Sequence, residues 1–273
     1  MRFGVGTYAF AWSIGVPGNM PEEPMTVFQF LEKAKTLGAD CVQIADNLPL
    51  DHYSPTELKQ VKEKAQEFGL AIEIGTRGLR PENIKKHLEL ADFFNSPILR
   101  MVIDADGYEP EVPEIIDLIN SFLPAFRTKN IKLAIENHDR LKAAEFLEII
   151  KKTDEKQVGI CLDSVNSIGA DEGFAEVARL LLPYTINLHV KDYSIKRLSH
   201  NMGFSITGTP TGLGMLPLHW LIEELDKIGN CQSAIMELWP GPENHIQETI
   251  VKEQAWAKES AEYLKSILAH VKK

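Results

Sequence analysis

The chain has 273 residues, of which 44% are hydrophobic and 25% charged, with a formal net charge of −10. That acidity argues against a nucleic-acid partner, whose phosphates require clustered Lys and Arg. No apolar run reaches membrane-spanning length, so the composition is that of an ordinary soluble protein. Cys41, Cys161 and Cys231 are an odd set with no CxxC pair, the pattern of reduced thiols in a cytoplasmic protein. The chain opens directly on a strand-like run, with no apolar leader segment.

In chain order, strand-like runs fall at 2–8 (RFGVGTY), 41–46 (CVQIAD), 70–76 (LAIEIGT), 98–104 (ILRMVID), 131–137 (IKLAIEN), 158–164 (VGICLDS), 186–192 (INLHVKD) and 232–239 (QSAIMELW). Amphipathic segments separate them. The clearest, 54–69, has Ser54 to cap its start, Pro55 in the first turn and Gly69 to end it. Strands alternating with helices build parallel βαβ units, and eight such units point to a single (β/α)₈ barrel domain over 1–273. A doubly wound sheet is the competing architecture, but GVGTYAF after the first strand is not its glycine-rich phosphate turn. The longest insertion, 193–214, is expected to be an active-site loop, its GFSITGTPTGLG segment a mobile lid rather than a phosphate cradle.

Period 2 sorts each barrel strand into a face toward the helices and a face toward the barrel axis. Strand five sends Ile131, Leu133 and Ile135 outward and Ala134, Glu136 and His138 inward. Strand six sends Val158, Ile160 and Leu162 outward and Gly159, Cys161 and Asp163 inward. Strand seven sends Ile186, Leu188 and Val190 outward and Asn187, His189 and Lys191 inward; strand eight sends Ser233, Ile235, Glu237 and Trp239 inward. Four consecutive strands therefore each deliver one ligand-type side chain near the C-terminal end, where barrel enzymes keep their chemistry: Glu136, Asp163, His189 and Glu237. Three converging carboxylates repel one another, and a divalent cation resolves the conflict. Three carboxylates and one imidazole suit Mn²⁺ or Mg²⁺, with Co²⁺ and Zn²⁺ also compatible.

Further inward groups are Gln43, a candidate internal hydrogen-bonder, Glu73 and Arg77 on strand three, and Arg100 and Asp104 on strand four. Glu73 and Arg100 are expected either to pair inside the barrel or to leave Arg100 free for a substrate carboxylate. His138 and Lys191, each two residues past a ligand, are candidate proton donors or substrate contacts, Lys191 with a pKa lowered by a neighbouring metal. Tyr8, Phe10, Trp12 and Trp239 can wall a sugar pocket or pack the barrel top.

The order Glu, Asp, His, Glu on strands five to eight, carried by ENH (136–138), CLDSVNS (161–167), HVKD (189–192) and MELW (236–239), resembles the xylose isomerase-like barrels of the sugar phosphate isomerase/epimerase superfamily. QIADNLPL and EIGTRG are similar to one of its branches. The resemblance implies a metal-dependent isomerase or epimerase of a small keto-sugar, with Glu136 and Glu237 exchanging the substrate proton through an enediolate. It also implies substrate contacts at Asn166, where ketose epimerases carry His, and at Arg197, alongside Arg100 and Trp12. The alternative on the same scaffold is a lyase, either a decarboxylase of a 3-oxo sugar acid or a keto-inositol dehydratase. The DNA-repair endonucleases of this fold carry further His residues that are not matched here. A non-catalytic sugar-binding barrel is the reading from another class. The expected partner is a small carbohydrate, with self-association compatible and neither nucleic acid nor membrane involved.

Overall fold

The alternation of strand-like and amphipathic segments closes into a barrel in the computed structural model, which describes residues 1–271. The elements are β1 (Arg2–Gly6), α1 (Ala11–Ile14), α2 (Val27–Leu37), β2 (Cys41–Ile44), α3 (Pro55–Phe68), β3 (Ala71–Arg77), α4 (Pro81–Phe94), β4 (Ile98–Val102) and α5 (Val112–Lys129). They continue with β5 (Lys132–Glu136), α6 (Ala143–Lys152), β6 (Val158–Asp163), α7 (Phe174–Leu181), β7 (Thr185–Val190), β8 (Asp192–Arg197), β9 (Phe204–Thr209), α8 (Leu218–Ile228), β10 (Ser233–Met236) and α9 (Ile246–Val271). The barrel strands run parallel in the closed order β1-β10-β7-β6-β5-β4-β3-β2. Among the described residues, no helix is long and apolar enough to cross a membrane.

Local chemistry accounts for the element ends. The Ser54 side chain accepts from the Glu57 backbone N–H while Glu57 reaches back to Ser54, and Gly69 closes α3 at φ 70°. The strand faces follow period 2: Leu133, Ile135, Ile160, Leu162, Leu188 and Val190 pack outward with Phe126, Phe146, Val177 and Leu181 of the helices in one apolar cluster. Each such buried side chain contributes about 1.5–3 kcal/mol.

Ile186 departs from the expected phase. It joins Ile98, Ala134 and Cys161 in a small cluster on the barrel axis, because the β6–β7 ladder slips between Ile160, opposite Thr185, and Cys161, opposite Asn187. The bulge turns Ile186 inward without disturbing Asn187 and His189. Gly159 provides the room, since a Cβ there would lie 2.7 Å from Ile186.

The 193–214 insertion is a built element rather than an open loop. β8 and β9 pair antiparallel, with Asp192 opposite Thr209 and Arg197 opposite Phe204. The glycine-rich run that follows does cradle an anion, but the anion is the chain's own Asp192. Its carboxylate accepts from the backbone N–H groups of Gly212, Gly214 and Leu216 at 2.8–3.0 Å. Gly214 must lack a side chain, as a Cβ would fall 2.1 Å from Asp192. The segment expected to be a mobile lid is thereby tied to the end of the seventh barrel strand.

Inside the barrel, a Cβ at Gly4 would meet Ile235 at 2.3 Å and Cys41 at 2.8 Å. Gly4→Ala is expected to lower stability by roughly 1–3 kcal/mol through overpacking, read as a drop in the urea midpoint. An unchanged midpoint would show that the interior tolerates the methyl group.

Candidate metal centre and cavity

The C-terminal ends of β5, β6, β7 and β10 bring Glu136, Asp163, His189 and Glu237 together, Glu237 one residue past its strand. All four are at most 1% exposed. His189 Nδ1 lies 3.4 Å from Glu136 Oε2, 3.4 Å from Glu237 Oε1 and 3.7 Å from Asp163 Oδ2. Asp163 is aimed by its own turn: Oδ1 accepts from the N–H groups of Val165 and Asn166 at 2.8 and 2.9 Å, which leaves Oδ2 for the centre.

Two cations flank these carboxylates. Arg100, 2% exposed, donates from Nε to Glu136 Oε2 and lies 3.4 Å from Asp46 Oδ1. Lys191 Nζ sits 2.9 Å from Asp163 Oδ2 and 3.0 Å from Glu237 Oε2. Burial alone would raise the Glu136 carboxyl, but the Arg100 guanidinium and then His189 outweigh it and hold the group below its usual range. Asp163 is likewise lowered: burial raises it, but Lys191 and His189 together outweigh burial. The Lys191 ammonium is raised by these carboxylates: burial disfavours its charge, but Asp163, Glu237 and Glu136 together favour it more strongly.

The expected Glu73–Arg100 pair does not form. Arg100 stands opposite Gly75 on β3 and Ala134 on β5, so its long side chain reaches up to Glu136, one inward step above Ala134. Glu73 is one inward step below Gly75 and pairs instead with Arg2 at 3.1 Å.

The donor set fits a divalent ion. Asp163, His189 and Glu237 each place a ligand atom within 4.8 Å of the others. Asp163 Oδ2, His189 Nδ1 and Glu237 Oε2 are buried without a hydrogen-bond partner, although Lys191 is within ion-pair distance of both carboxylates. His189 Nε2 is engaged by Gln43 Oε1 at 2.7 Å, so the other ring nitrogen is the one presented to the carboxylates. A second grouping of Glu136, Cys161 and His189 is as close, but burial pushes the Cys161 thiol up, and its Sγ donates to Asn187 Oδ1 at 3.0 Å. A protonated thiol is no ligand.

Above the centre opens a cavity of about 480 Å³, lined by Tyr8, Trp12, Val165, Asn166, Ile168, Lys191, Ile206, Leu238 and Trp239 among others. Trp12, Asn166 and Lys191, three of the candidate site residues, thus line the cavity. Asn166 donates to Glu136 Oε1 at 2.8 Å, and Trp12 Nε1 donates to the Pro240 carbonyl at 2.9 Å. His138 is turned aside: its Nε2 is 3.0 Å from Arg77 Nη2, and because Arg can only donate, that nitrogen accepts. Phe10 is in the core against Phe30, and Asp104 pairs with Arg140 at 2.7 Å. Arg197 is exposed near the hairpin tip, donating to the Asn201 carbonyl at 3.0 Å and stacked on Phe204. Neither Arg100 nor Arg197 lines the cavity, whereas Lys191 does.

Asp46 and Glu253 were missed from the sequence. Asp46 links Tyr8 (3.0 Å), Arg77 (3.5 Å) and Arg100 (3.4 Å) at the rim. Glu253, on α9 and fully buried, accepts from the Trp12 N–H at 2.8 Å and from the Ser13 N–H and hydroxyl at 3.0 and 2.6 Å. It holds the short helix that carries Trp12 into the cavity wall. Nothing in the local pattern marks a Glu on a long amphipathic helix as a partner of residues 240 positions away.

A family model described as xylose isomerase-like TIM barrel matches residues 31–267. A 3-oxo-isoapionate decarboxylase from Pectobacterium atrosepticum is 30% identical over 264 residues, covering 97% of this chain and 95% of that protein. Among solved structures, a xylose isomerase-like TIM barrel protein from Mycobacterium smegmatis in complex with magnesium superposes with a TM-score of 0.73 at 18% identity, covering 99% of this chain and 97% of that one. A D-psicose 3-epimerase with D-tagatose from Clostridium cellulolyticum H10 gives a TM-score of 0.72 at 16% identity, covering 98% and 99%. At such identities these two likenesses concern the fold alone.

Two outcomes follow from this geometry. Asp163→Asn and His189→Ala are expected to lose the divalent ion that the purified wild type retains, measured by elemental analysis; full metal retention in both would remove the four-ligand assignment. Burial pushes the Glu253 carboxyl from 4.5 up to about 7, so the folded state binds its proton more tightly than the unfolded chain. The stabilisation from that proton is complete below 4.5 and is lost as pH rises through about 7. Wild type should therefore gain stability relative to Glu253→Gln as pH falls through that window, and parallel urea-midpoint curves would contradict it.

Proposed function

Because the chain belongs to the xylose isomerase-like TIM-barrel family, we propose that it is a divalent-metal-dependent lyase that decarboxylates a 3-oxo sugar acid. The observation that carries this reading is the engagement of Glu136. Epimerisation by removing a proton on one face and returning it on the other needs two carboxylates free to take it. Both Glu136 oxygens already accept, one from Arg100 and one from Asn166, and its proton affinity is lowered. Loss of CO₂ needs no such base.

In a 3-oxo acid the bond between the carboxyl carbon and C2 breaks, CO₂ leaves, and the electron pair passes toward the C3 carbonyl oxygen. A divalent ion held by Glu136, Asp163, His189 and Glu237 would supply the positive charge that favours electron flow to that oxygen. The chain's own groups do the rest. Lys191, the cation on the cavity wall, attracts the acid substrate and is a proton source for C2 once CO₂ has left. Trp12, Val165, Ile168, Ile206, Leu238 and Trp239 form the apolar part of the wall, which disfavours a charged carboxylate more than neutral CO₂. The decarboxylase relative at 30% identity supports the same chemistry.

The isomerase reading has one specific support. Glu237 Oε2 lacks a hydrogen-bond donor in good geometry, so a single-base 1,2-shift in a neutral ketose could use it.

Incubation of the Mn²⁺-treated protein with 3-oxo sugar acids, inososes and neutral ketoses separates the readings. CO₂ release from an acid, abolished by chelation and slowed about 10²–10⁴-fold in Lys191→Met with its metal retained, is the expected result. Ketose isomerisation without CO₂ release from any acid would overturn it in favour of the Glu237 reading.

A further inference from the structure

Below the metal centre, away from the cavity, lies a polar layer contributed by five strands: the buried Gln43, Glu73, Asn187 and Ser233, and the half-buried Arg2. We infer that Glu73 is a positioning residue that, through Gln43, fixes which ring nitrogen of His189 faces the metal. This rests on the metal-centre reading of His189.

Glu73 receives four donors: Ser233 Oγ at 2.7 Å and Arg2 Nη2 at 3.1 Å on Oε1, and Gln43 Nε2 and Asn187 Nδ2 at 3.3 Å each on Oε2. Burial raises its carboxyl, against Ser233, Arg2 and Gln43; a proton on Oε1 has the Ser233 hydroxyl as its one acceptor, and Oε2, between two NH₂ groups, accepts in either state. A carboxylate only accepts, so Gln43 must turn its NH₂ toward Glu73. The same NH₂ also meets Asn187 Oδ1 at 3.0 Å. The Gln43 carbonyl is thereby left to face His189 Nε2 at 2.7 Å, and that nitrogen must carry the hydrogen. Nδ1 is left as a lone pair directed at Glu136, Asp163 and Glu237. An amide next to an imidazole can satisfy either ring tautomer by rotating, and only the acceptor-only partner behind it chooses one.

Glu73→Gln changes almost no volume but reverses this logic. Arg2 would claim the new amide oxygen, the new NH₂ would turn Gln43 over, and Gln43 would then donate to His189 Nε2. The hydrogen would move to Nδ1, the ligand atom. The exchange variant Gln43→Glu/Glu73→Gln keeps charge and volume and restores an acceptor opposite Nε2, with Asn187 turned over to suit.

The test reads ¹⁵N shifts of the His189 ring above the pH at which it stops titrating, assigned by their loss in His189→Gln, together with Mn²⁺ affinity by calorimetry. Wild type should show the Nε2–H form. Glu73→Gln should show Nδ1–H and bind Mn²⁺ about 10–100-fold more weakly, and the exchange variant should recover both. Gln43→Met, which removes only the acceptor, gives a second reading and should weaken Mn²⁺ over the same range. Unchanged tautomer and affinity in Glu73→Gln, or in Gln43→Met if the former does not fold, would overturn the assignment. A wild type with the Nε2–H form but no Mn²⁺ binding would instead support the relay and defeat the metal-centre reading.

Discussion

Three carboxylates and an imidazole are buried side by side, and much of the barrel interior answers to that. Among the described residues, Glu136, Asp163 and Glu237 have, besides His189, two cations in ion-pair contact, Arg100 and Lys191, which leaves one negative charge uncompensated beside the imidazole. In a low-dielectric interior such a charge is costly, and the affordable responses are a proton on His189 or a divalent ion. The imidazole is accordingly raised in pKa: burial opposes its charge, and Glu237, Glu136 and Asp163 favour it. Replacing that proton by an ion bound at Nδ1 satisfies the same electrostatic demand with the same atoms.

The supporting structure is arranged in layers along the barrel axis. The Glu73 layer orients His189 from below, Arg100 and Asn166 immobilise Glu136 from the side, and the turn after β6 aims Asp163. His189, Glu136 and Asp163 therefore each have a second contact to the protein away from the centre, which is how a rigid site is made from flexible side chains. Small residues permit this packing. Gly75 leaves the path along which Arg100 climbs, its absent Cβ lying 3.3 Å from the Arg100 Cδ.

Proteins described as a 3-oxo-isoapionate decarboxylase and as a D-psicose 3-epimerase share this scaffold. The difference is decided by groups other than the ligands: how many carboxylates remain free to move protons, and what charge the cavity presents. Here the cavity wall is largely apolar with Lys191 as its cation and Asp139 as its anion, and one of the two glutamates is held by partners of its own. The hairpin of β8 and β9 contributes Ile206 to that wall, and Asp192 anchors its base. An insertion that looks like a loose lid in sequence is thus part of the cavity's frame.

The barrel, its strands to within a few residues, the ends of α3 and the convergence of four inward side chains were legible in the amino-acid sequence, because all depend on local periodicity and local capping. Period 2 along one strand is enough to say that Glu136, Asp163, His189 and Glu237 point inward. What the sequence could not determine was anything set by the stagger between strands. Arg100 pairs with Glu136 rather than Glu73 because of relative height along the axis, and Ile186 turns inward because a bulge breaks the phase. The sign of the Lys191 shift depends on how many carboxylates lie within reach, and the Glu253 contact joins chain ends some 240 residues apart. Such quantities belong to distances across the fold, and only closure of the barrel assigns them.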